Sequence, residues 1–155
     1  MFEAPLDAWY VWIGLAVASS AMFGVASVLP SAAPPDASGS ARTVDSVAAS
    51  DHAAVGKHPL SNTKSVRIGV DSISLRGPGG TANAGFGYGP ITPVASGSVL
   101  APVLRGEPPE AVFDTPEAFQ RATTQAREPE PHWKETDRLL VRRVSWEGID
   151  AVLVG

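Results

Sequence analysis

The pattern of apolar and polar positions opens with an uncharged apolar run of 22 residues, from Ala8 to Leu29. A helix of that length covers about 33 Å, which matches a bilayer hydrocarbon core of about 30 Å. Asp7 precedes the run and Pro30, which cannot continue a helix, follows it. Three aromatic residues that suit the headgroup boundary cluster at one end, namely Trp9, Tyr10 and Trp12. The pattern predicts a transmembrane helix over 8–29 after a short tail, 1–7.

Two other interpretations of this run are a cleaved secretory signal and a buried core helix. A secretory signal begins with a basic segment and has an apolar core of about 7–15 residues. Residues 1–7 contain two acids and no basic residue, and the run is longer, so a retained anchor is favoured. Ala16, Ser20 and Gly24 share one helix face and could pack against a second helix. The frequency of small residues in such helices is the simpler explanation of that stripe.

The next segment, 30–63, is rich in Ala, Ser, Pro and Asp. Such a composition buries too little apolar surface to offset the entropy lost on ordering, so it predicts a flexible linker. A short helix over 43–55 is the alternative.

Alternation with a period of two begins near Ser65 and predicts a small α+β domain over 64–155. Strands are expected over 65–76 and 81–89, joined by a turn at 77–80. Pro78 has the fixed φ that suits the second position of a type II turn, and Gly79 can take the positive φ of the third position. If Arg76 faces Thr81, then Leu75 faces Ala82, Ile73 faces Ala84, and Phe86 and Tyr88 continue that side.

Two further expectations concern the packing of this hairpin. Val66, Ile68 and Val70 have the opposite parity to Ile73 and Leu75, which predicts a bulge near 71–72. The small side chains of the second strand predict that another element packs closely over it.

Five prolines in 90–109 argue against long regular structure, and Val99-Leu100 and Val103-Leu104 are expected as short edge segments. Thr115 as N-cap and Pro116 at the first helical position predict a helix whose buried face carries Phe119, Ala122 and Ala126. Asp114 with Glu117 is the alternative cap.

Strands are expected over 137–146 and 149–154, with the apolar chain end buried. Glu147 suits a primed turn poorly, which predicts a loop longer than two residues between them. The fold class is therefore α+β: an N-terminal transmembrane helix, a flexible linker, and a small antiparallel sheet domain with one packed helix.

Composition narrows the possible functions. The chain has 155 residues, a formal net charge of −4 and no cysteine. It can form one small folded domain outside the apolar run, without disulfides or thiolate metal sites. No strong basic patch is expected to recruit nucleic acid.

The motifs of common catalytic sites are missing from the sequence. Neither a Gly-x-Gly-x-x-Gly fingerprint nor a Gly-Lys-Ser/Thr loop occurs, and His52, His58 and His132 do not have metal-site spacing. Ser61 and Lys64 match Ser-x-x-Lys without its companion motifs. We therefore expect no enzyme activity, no cofactor and no metal.

Several stretches carry a resemblance to a known family. Residues 1–12 (MFEAPLDAWYVW), 67–70 (RIGV), 86–94 (FGYGPITPV) and 141–149 (VRRVSWEGI) resemble a family of small, uncharacterised membrane-anchored proteins of halophilic archaea. Some such proteins are similar in layout to pilin-like components of type IV pilus and secretion machinery, which implies an extracytoplasmic assembly role. Archaeal pilins carry a basic residue and glycine before the apolar helix, whereas this chain has Leu6-Asp7-Ala8, so prepilin processing is not expected.

These features lead to one favoured function and one alternative. The favoured function is a single-pass membrane protein whose domain, outside the cytoplasm, makes non-catalytic contacts with a protein partner or with a second copy in a surface filament or secretion assembly. The alternative is a membrane-tethered module that binds a small ligand, with Phe86, Tyr88 and Trp146 forming the interaction surface.

Overall fold

The computed structural model describes residues 7–28 and 32–155, with side chains of the first helix described at positions 9–20. The chain divides into two compact units, Met1–Ser31 and Ala32–Gly155.

The first unit contains helix α1, Asp7–Val28, of 22 residues. The helix predicted over 8–29 is confirmed from residue 8 to residue 28, whereas residue 29 and residues 1–6 of the predicted tail lie outside the described residues. Among the described residues, no helix combines the length and the apolar character needed to cross a membrane. The transmembrane placement therefore stays a prediction. All side chains from position 9 to position 20 are exposed.

The second unit is a mixed α+β fold, as predicted, but it is larger than the expected domain, 64–155. Residues 32–155 contain two sheets, one of them with a parallel pair, and four helices, where one antiparallel sheet and one packed helix were expected. Its elements in chain order are α2 (Ala37–Ala48), β1 (Val55–Pro59), β2 (Ser65–Ile68), β3 (Ser72–Gly77), β4 (Gly80–Gly85), β5 (Thr92–Pro93), α3 (Ala101–Arg105), α4 (Pro109–Val112), α5 (Pro116–Arg127), β6 (Arg138–Trp146) and β7 (Ile149–Val154).

Two sheets form the framework of this unit. One has the order β1-β6-β7-β5, in which β6 is antiparallel to both neighbours and β5 is parallel to β7. The other is the antiparallel sheet β2-β3-β4. A bridge between Val66 and Lys134 ties the segment before β6 to the free edge of β2.

Buried apolar side chains form two clusters. The first joins α2 to the inner faces of both sheets and includes Val44, Val66, Ile73, Leu75 and Val141. The second lies under α3 and α5 and includes Leu100, Val103, Phe119, Val144 and Leu153.

The predicted linker is folded, so that prediction is wrong. Within it, α2 buries Val44 and Val47 in the first cluster, and β1 pairs with β6. Asp36 begins the helix by accepting a hydrogen bond from the Gly39 amide at 2.7 Å. The small residues that suggested disorder instead allow α2 to pack closely against β1. A Cβ added at Gly56, in β1, would lie only 2.8 Å from the Val47 side chain, in α2.

The predicted bulge is also wrong, because 65–76 is a hairpin and not one long strand. β2 and β3 pair with Val66 opposite Leu75 and Ile68 opposite Ile73. All four side chains are buried as expected, but a chain reversal at 69–71 produces the change of parity.

The next hairpin has the predicted register: Arg76 faces Thr81, Leu75 faces Ala82 and Ile73 faces Ala84. The positive φ lies at Gly80, at 109°, and Gly79 has none, which corrects the expected turn type. The expected covering element is α2, which contacts β4 and packs with the partly buried Ala82 and Ala84.

The proline-rich region forms two short helices, α3 and α4, and the two-residue strand β5. Leu100, Val103 and Leu104 are buried as expected, although they lie at or in a helix and not in edge strands, and Val99 is 62% exposed. Thr115 caps α5 by accepting a hydrogen bond from the Ala118 amide at 3.2 Å, as predicted.

The final hairpin, β6-β7, is close to the expected one. Its loop has two residues, because Glu147 adopts a positive φ of 45° beside Gly148 at 84°. The expectation of a longer loop is therefore wrong. Leu153 and Val154 are fully buried, as predicted for an apolar strand.

Candidate functional site

The residues predicted at the membrane interface lie on α1. Trp9, Tyr10 and Trp12 are 70%, 73% and 69% exposed. On the proposed packing stripe, the Ser20 hydroxyl donates to the Ala16 carbonyl at 2.8 Å, and the surroundings of Gly24 lie outside the described side chains.

The three aromatic residues of the predicted interaction surface lie in different environments. Phe86 packs against the first core cluster, whereas Trp146 packs in the second, 6.2 Å from the ring of Phe119. Tyr88 is 55% exposed. The role of each as an interaction residue stays a prediction, but the structure does not assemble them into one aromatic groove.

Tyr88 lines a shallow groove of about 320 Å³ together with Arg127, Arg143 and Asp150. The groove arginines already have partners: Arg127 Nε donates to the Thr92 hydroxyl at 3.0 Å, and Arg143 forms an ion pair of 3.8 Å with Asp150. Burial lowers the pKa of Arg127. These contacts indicate structural roles for both guanidinium groups.

The adjacent arginines of β6 serve opposite faces of their strand, as the sequence predicts for neighbouring strand residues. Arg143 Nη1 donates to the Ala48 carbonyl at 2.6 Å, at the end of α2. Arg142 Nη1 donates to the carbonyls of Val103, in α3, and Glu107. Each cation thus satisfies carbonyls at or near a helix C-terminus, where positive charge is favourable.

A second groove, of about 370 Å³, has mainly apolar walls and one half-buried ammonium group. Ile68, Val94, Ala126 and Pro131 contribute to its walls, and Lys134 lies among them. Lys134 Nζ donates to the Val94 carbonyl at 3.2 Å, and burial lowers its pKa. Among residues 32–155, no carboxylate lies within ion-pair distance of this ammonium. The groove therefore presents an ammonium group among mainly apolar walls, and Glu130 also lines it without forming an ion pair with Lys134.

A third feature lies on the outward face of the three-stranded sheet, and we name it the arginine–tryptophan face. It consists of Arg67, Arg76 and Trp133. The guanidinium carbons of Arg67 and Arg76 lie 5.0 Å and 4.2 Å from the Trp133 ring centroid, within cation–π range. Both arginines are exposed, and neither forms an ion pair with any described carboxylate.

Strand register places the members of this face together. Arg67 pairs with Ser74 and Arg76 with Ser65, so the two arginines are diagonal neighbours on one side of the sheet. The bridge from Lys134 to Val66 brings Trp133 alongside β2. Arg67 also donates to the Ser74 hydroxyl at 3.4 Å.

The histidines do not assemble into a metal site. Within 7–28 and 32–155, no group of three or more His, Asp or Glu side chains could hold a metal ion. His58, which falls in the predicted linker, lies in β1 and its Nδ1 is 3.2 Å from the Thr43 hydroxyl. His132 lines the groove of Lys134.

Comparison with known proteins decides the family. A model of the family of unknown function DUF7283 matches residues 3–144, which is most of the chain. The chain belongs to DUF7283. The expected membership of a family without an assigned activity is confirmed, while archaeal origin and membrane or pilus association stay predictions. No curated protein matches the chain, and no solved structure matches it.

Sequence reasoning about this DUF7283 protein missed both Lys134 and the arginine–tryptophan face. An exposed arginine on a strand and a tryptophan outside regular structure give no local signal of a shared site. The bridge that joins them links residues far apart in the chain, Val66 and Lys134.

Proposed function

We propose that this DUF7283 protein is a single-pass membrane protein whose folded domain is a non-catalytic interaction module, acting in an extracytoplasmic filament or secretion assembly. The observation that carries the anchor is the exposure of every described side chain of α1, from Trp9 to Ser20, none of which is charged. A helix that is apolar on all sides needs an apolar environment on all sides. Lipid chains supply one, whereas a single protein partner covers only one face.

Membrane extraction at alkaline pH tests the anchor. The wild-type chain is expected to stay with the lipid after carbonate washing. Ile13→Lys with Val17→Lys places two charges near the middle of α1, each unfavourable by roughly 3 kcal/mol in a bilayer, and is expected to release the protein. Val55→Lys with Val99→Lys is the matched control, because both valines are 62% exposed and belong to the folded domain.

Recovery of the wild-type chain in the supernatant would refute the anchor. Protease treatment of intact cells then tests the side of the membrane. Cleavage of the domain without lysis is expected for an extracytoplasmic position, and cleavage only after lysis would contradict it.

The arginine–tryptophan face supports the interaction role. Two exposed guanidinium groups held against one indole have free N–H edges that suit carboxylate or phosphate groups. Chemical cross-linking in native membranes tests this role: capture of the chain with a defined partner, or with itself, is expected. A chain that is always recovered as an isolated monomer would count against it.

The Lys134 groove supports a second candidate function, the tethered binding of a small ligand. Lys134 is not ion-paired with Glu130, which also lines this groove, so its half-buried ammonium suits a compact apolar carboxylate. Benzoate is a suitable probe, and saturation-transfer NMR on the full chain in nanodiscs is expected to show contact. Lys134→Met is expected to abolish the signal, while Lys64→Met, at an exposed lysine, leaves it unchanged. Equal signals from both variants would refute this function.

A further inference from the structure

We propose that the arginine–tryptophan face binds the acidic segment 107–117 of a second copy of this chain, so that copies associate head to tail. The inference rests on the proposed interaction role and names its partner.

Neither arginine of the face forms an ion pair with a carboxylate of residues 32–155. Arg67 and Arg76 contact the same ring, so two like charges are held close together on one surface. Like charges at neighbouring sheet positions are unfavourable unless something compensates them. Stacking on Trp133 supplies part of that compensation, and an anion at the free guanidinium edges would supply the rest.

The segment 107–117 is the complementary surface. It holds four acids and no basic residue, namely Glu107, Glu110, Asp114 and Glu117, and all four are exposed. None of them forms an ion pair within the described part of the chain. Thr115 caps α5 with its own hydroxyl, so the carboxylates of Asp114 and Glu117 do not supply that cap.

A second copy offers a binding partner to both the arginine–tryptophan face and the acidic segment, whereas an anionic lipid surface offers one only to the arginines. The net charge of −4 also opposes attraction of the whole chain to anionic headgroups. Head-to-tail pairing leaves each copy with one free surface and generates rings or open filaments, whereas reciprocal pairing of both surfaces would close a two-fold dimer.

Full-length chains, one per phosphatidylcholine nanodisc, allow the test. Two dye-labelled populations are mixed, and association is measured by fluorescence cross-correlation at about 20 mM and about 500 mM salt, since exposed ion pairs are screened at the higher value. The wild type is expected to associate at low salt and to separate at high salt.

Charge reversal then identifies the surfaces. Arg67→Glu with Arg76→Glu is expected to raise the dissociation constant at least about tenfold, and so is Glu110→Lys with Asp114→Lys. A mixture of these two variants is expected to recover association, because the unchanged segment of the first meets the unchanged face of the second and the two reversed surfaces are also complementary. Arg42→Glu with Arg138→Glu is the matched control for the face variant, because it makes the same change in net charge at two exposed arginines outside both surfaces.

Four outcomes would overturn the inference: no association at low salt, equal weakening by the control, no recovery in the mixture, or association only when anionic lipid is added. If the face variant fails to fold, as judged by circular dichroism, the segment variant still tests the proposed contact, because it leaves the arginine–tryptophan face unchanged. A chain that fails to enter nanodiscs refutes the anchor instead, and the same mixtures are then measured in free solution. Cross-linking to a different protein with no effect of charge reversal would leave the proposed function standing and refute this inference alone.

Discussion

The packing of α2 in the first core cluster can be tested at one side chain. Val44 is fully buried, in a segment whose composition predicts a flexible linker. Val44→Ala removes two methyl groups, each contributing about 0.8 kcal/mol when buried, and leaves a cavity that adds up to about 1 kcal/mol. The higher helix propensity of alanine returns up to about 0.5 kcal/mol. The expected loss in the free energy of unfolding is therefore about 2 kcal/mol.

Urea unfolding of the full chain, followed by far-ultraviolet circular dichroism, measures this loss. A fall in melting temperature of roughly 6–10 °C should accompany it. Val99→Ala is the control, because Val99 is 62% exposed in a turn and its truncation should change stability by less than about 0.5 kcal/mol. Equal unfolding free energies for the two variants would refute the packing of α2 and restore the flexible linker.

Three further predictions concern the cap, the strand arginine and the buried lysine. Thr115→Ala should lower the free energy of unfolding in urea by about 1 kcal/mol because it removes the α5 cap, and Thr115→Ser should lower it little. Equal losses for the two variants would contradict capping by the hydroxyl. Arg143→Met should lower the free energy of unfolding by about 1–2 kcal/mol, because it leaves the Ala48 carbonyl without its donor. Asp150→Asn, at an exposed ion pair, should lower it by less than about 0.5 kcal/mol. A larger loss for Asp150→Asn than for Arg143→Met would refute this assignment. Burial lowers the pKa of Lys134, so the unfolded chain binds more protons between the folded pKa and 10.5, and the urea midpoint should rise with pH over that interval. Lys134→Met should remove this rise, and an unchanged pH profile in that variant would contradict it.

Local patterns predicted the elements whose signals lie within a few residues. The register of β3 with β4 follows from alternation around a short turn, and the start of α5 follows from Thr115 and Pro116. The wrong prediction of a bulge shows what the alternation of apolar positions cannot distinguish. A reversal of the chain and an inserted residue both switch which positions are buried. Only the pairing partner, Ile68 with Ile73, distinguishes the two.

The prediction of a flexible linker from composition failed at α2, where small residues pack in the core. Ala37, Ala41 and Val44 have helical spacing and are buried, yet serine, glycine and proline around them indicate a linker by composition alone. The candidate sites were harder to predict, since they depend on contacts between distant segments. Trp133 reaches the arginines only because Lys134 bridges to Val66, and no local pattern encodes that bridge.

The neighbouring arginines of β6 bear on how this sheet avoids misassembly. Because side chains alternate between faces, sliding β6 by one residue along its neighbours would send Arg142 and Arg143 to each other's side. In either direction one arginine would take the other's place, while the second would move to the buried position of Val141 or Val144 and leave one helix end without its donor. A slipped sheet would therefore bury an unpaired guanidinium group, so this pair of residues selects one alignment of the strand during folding.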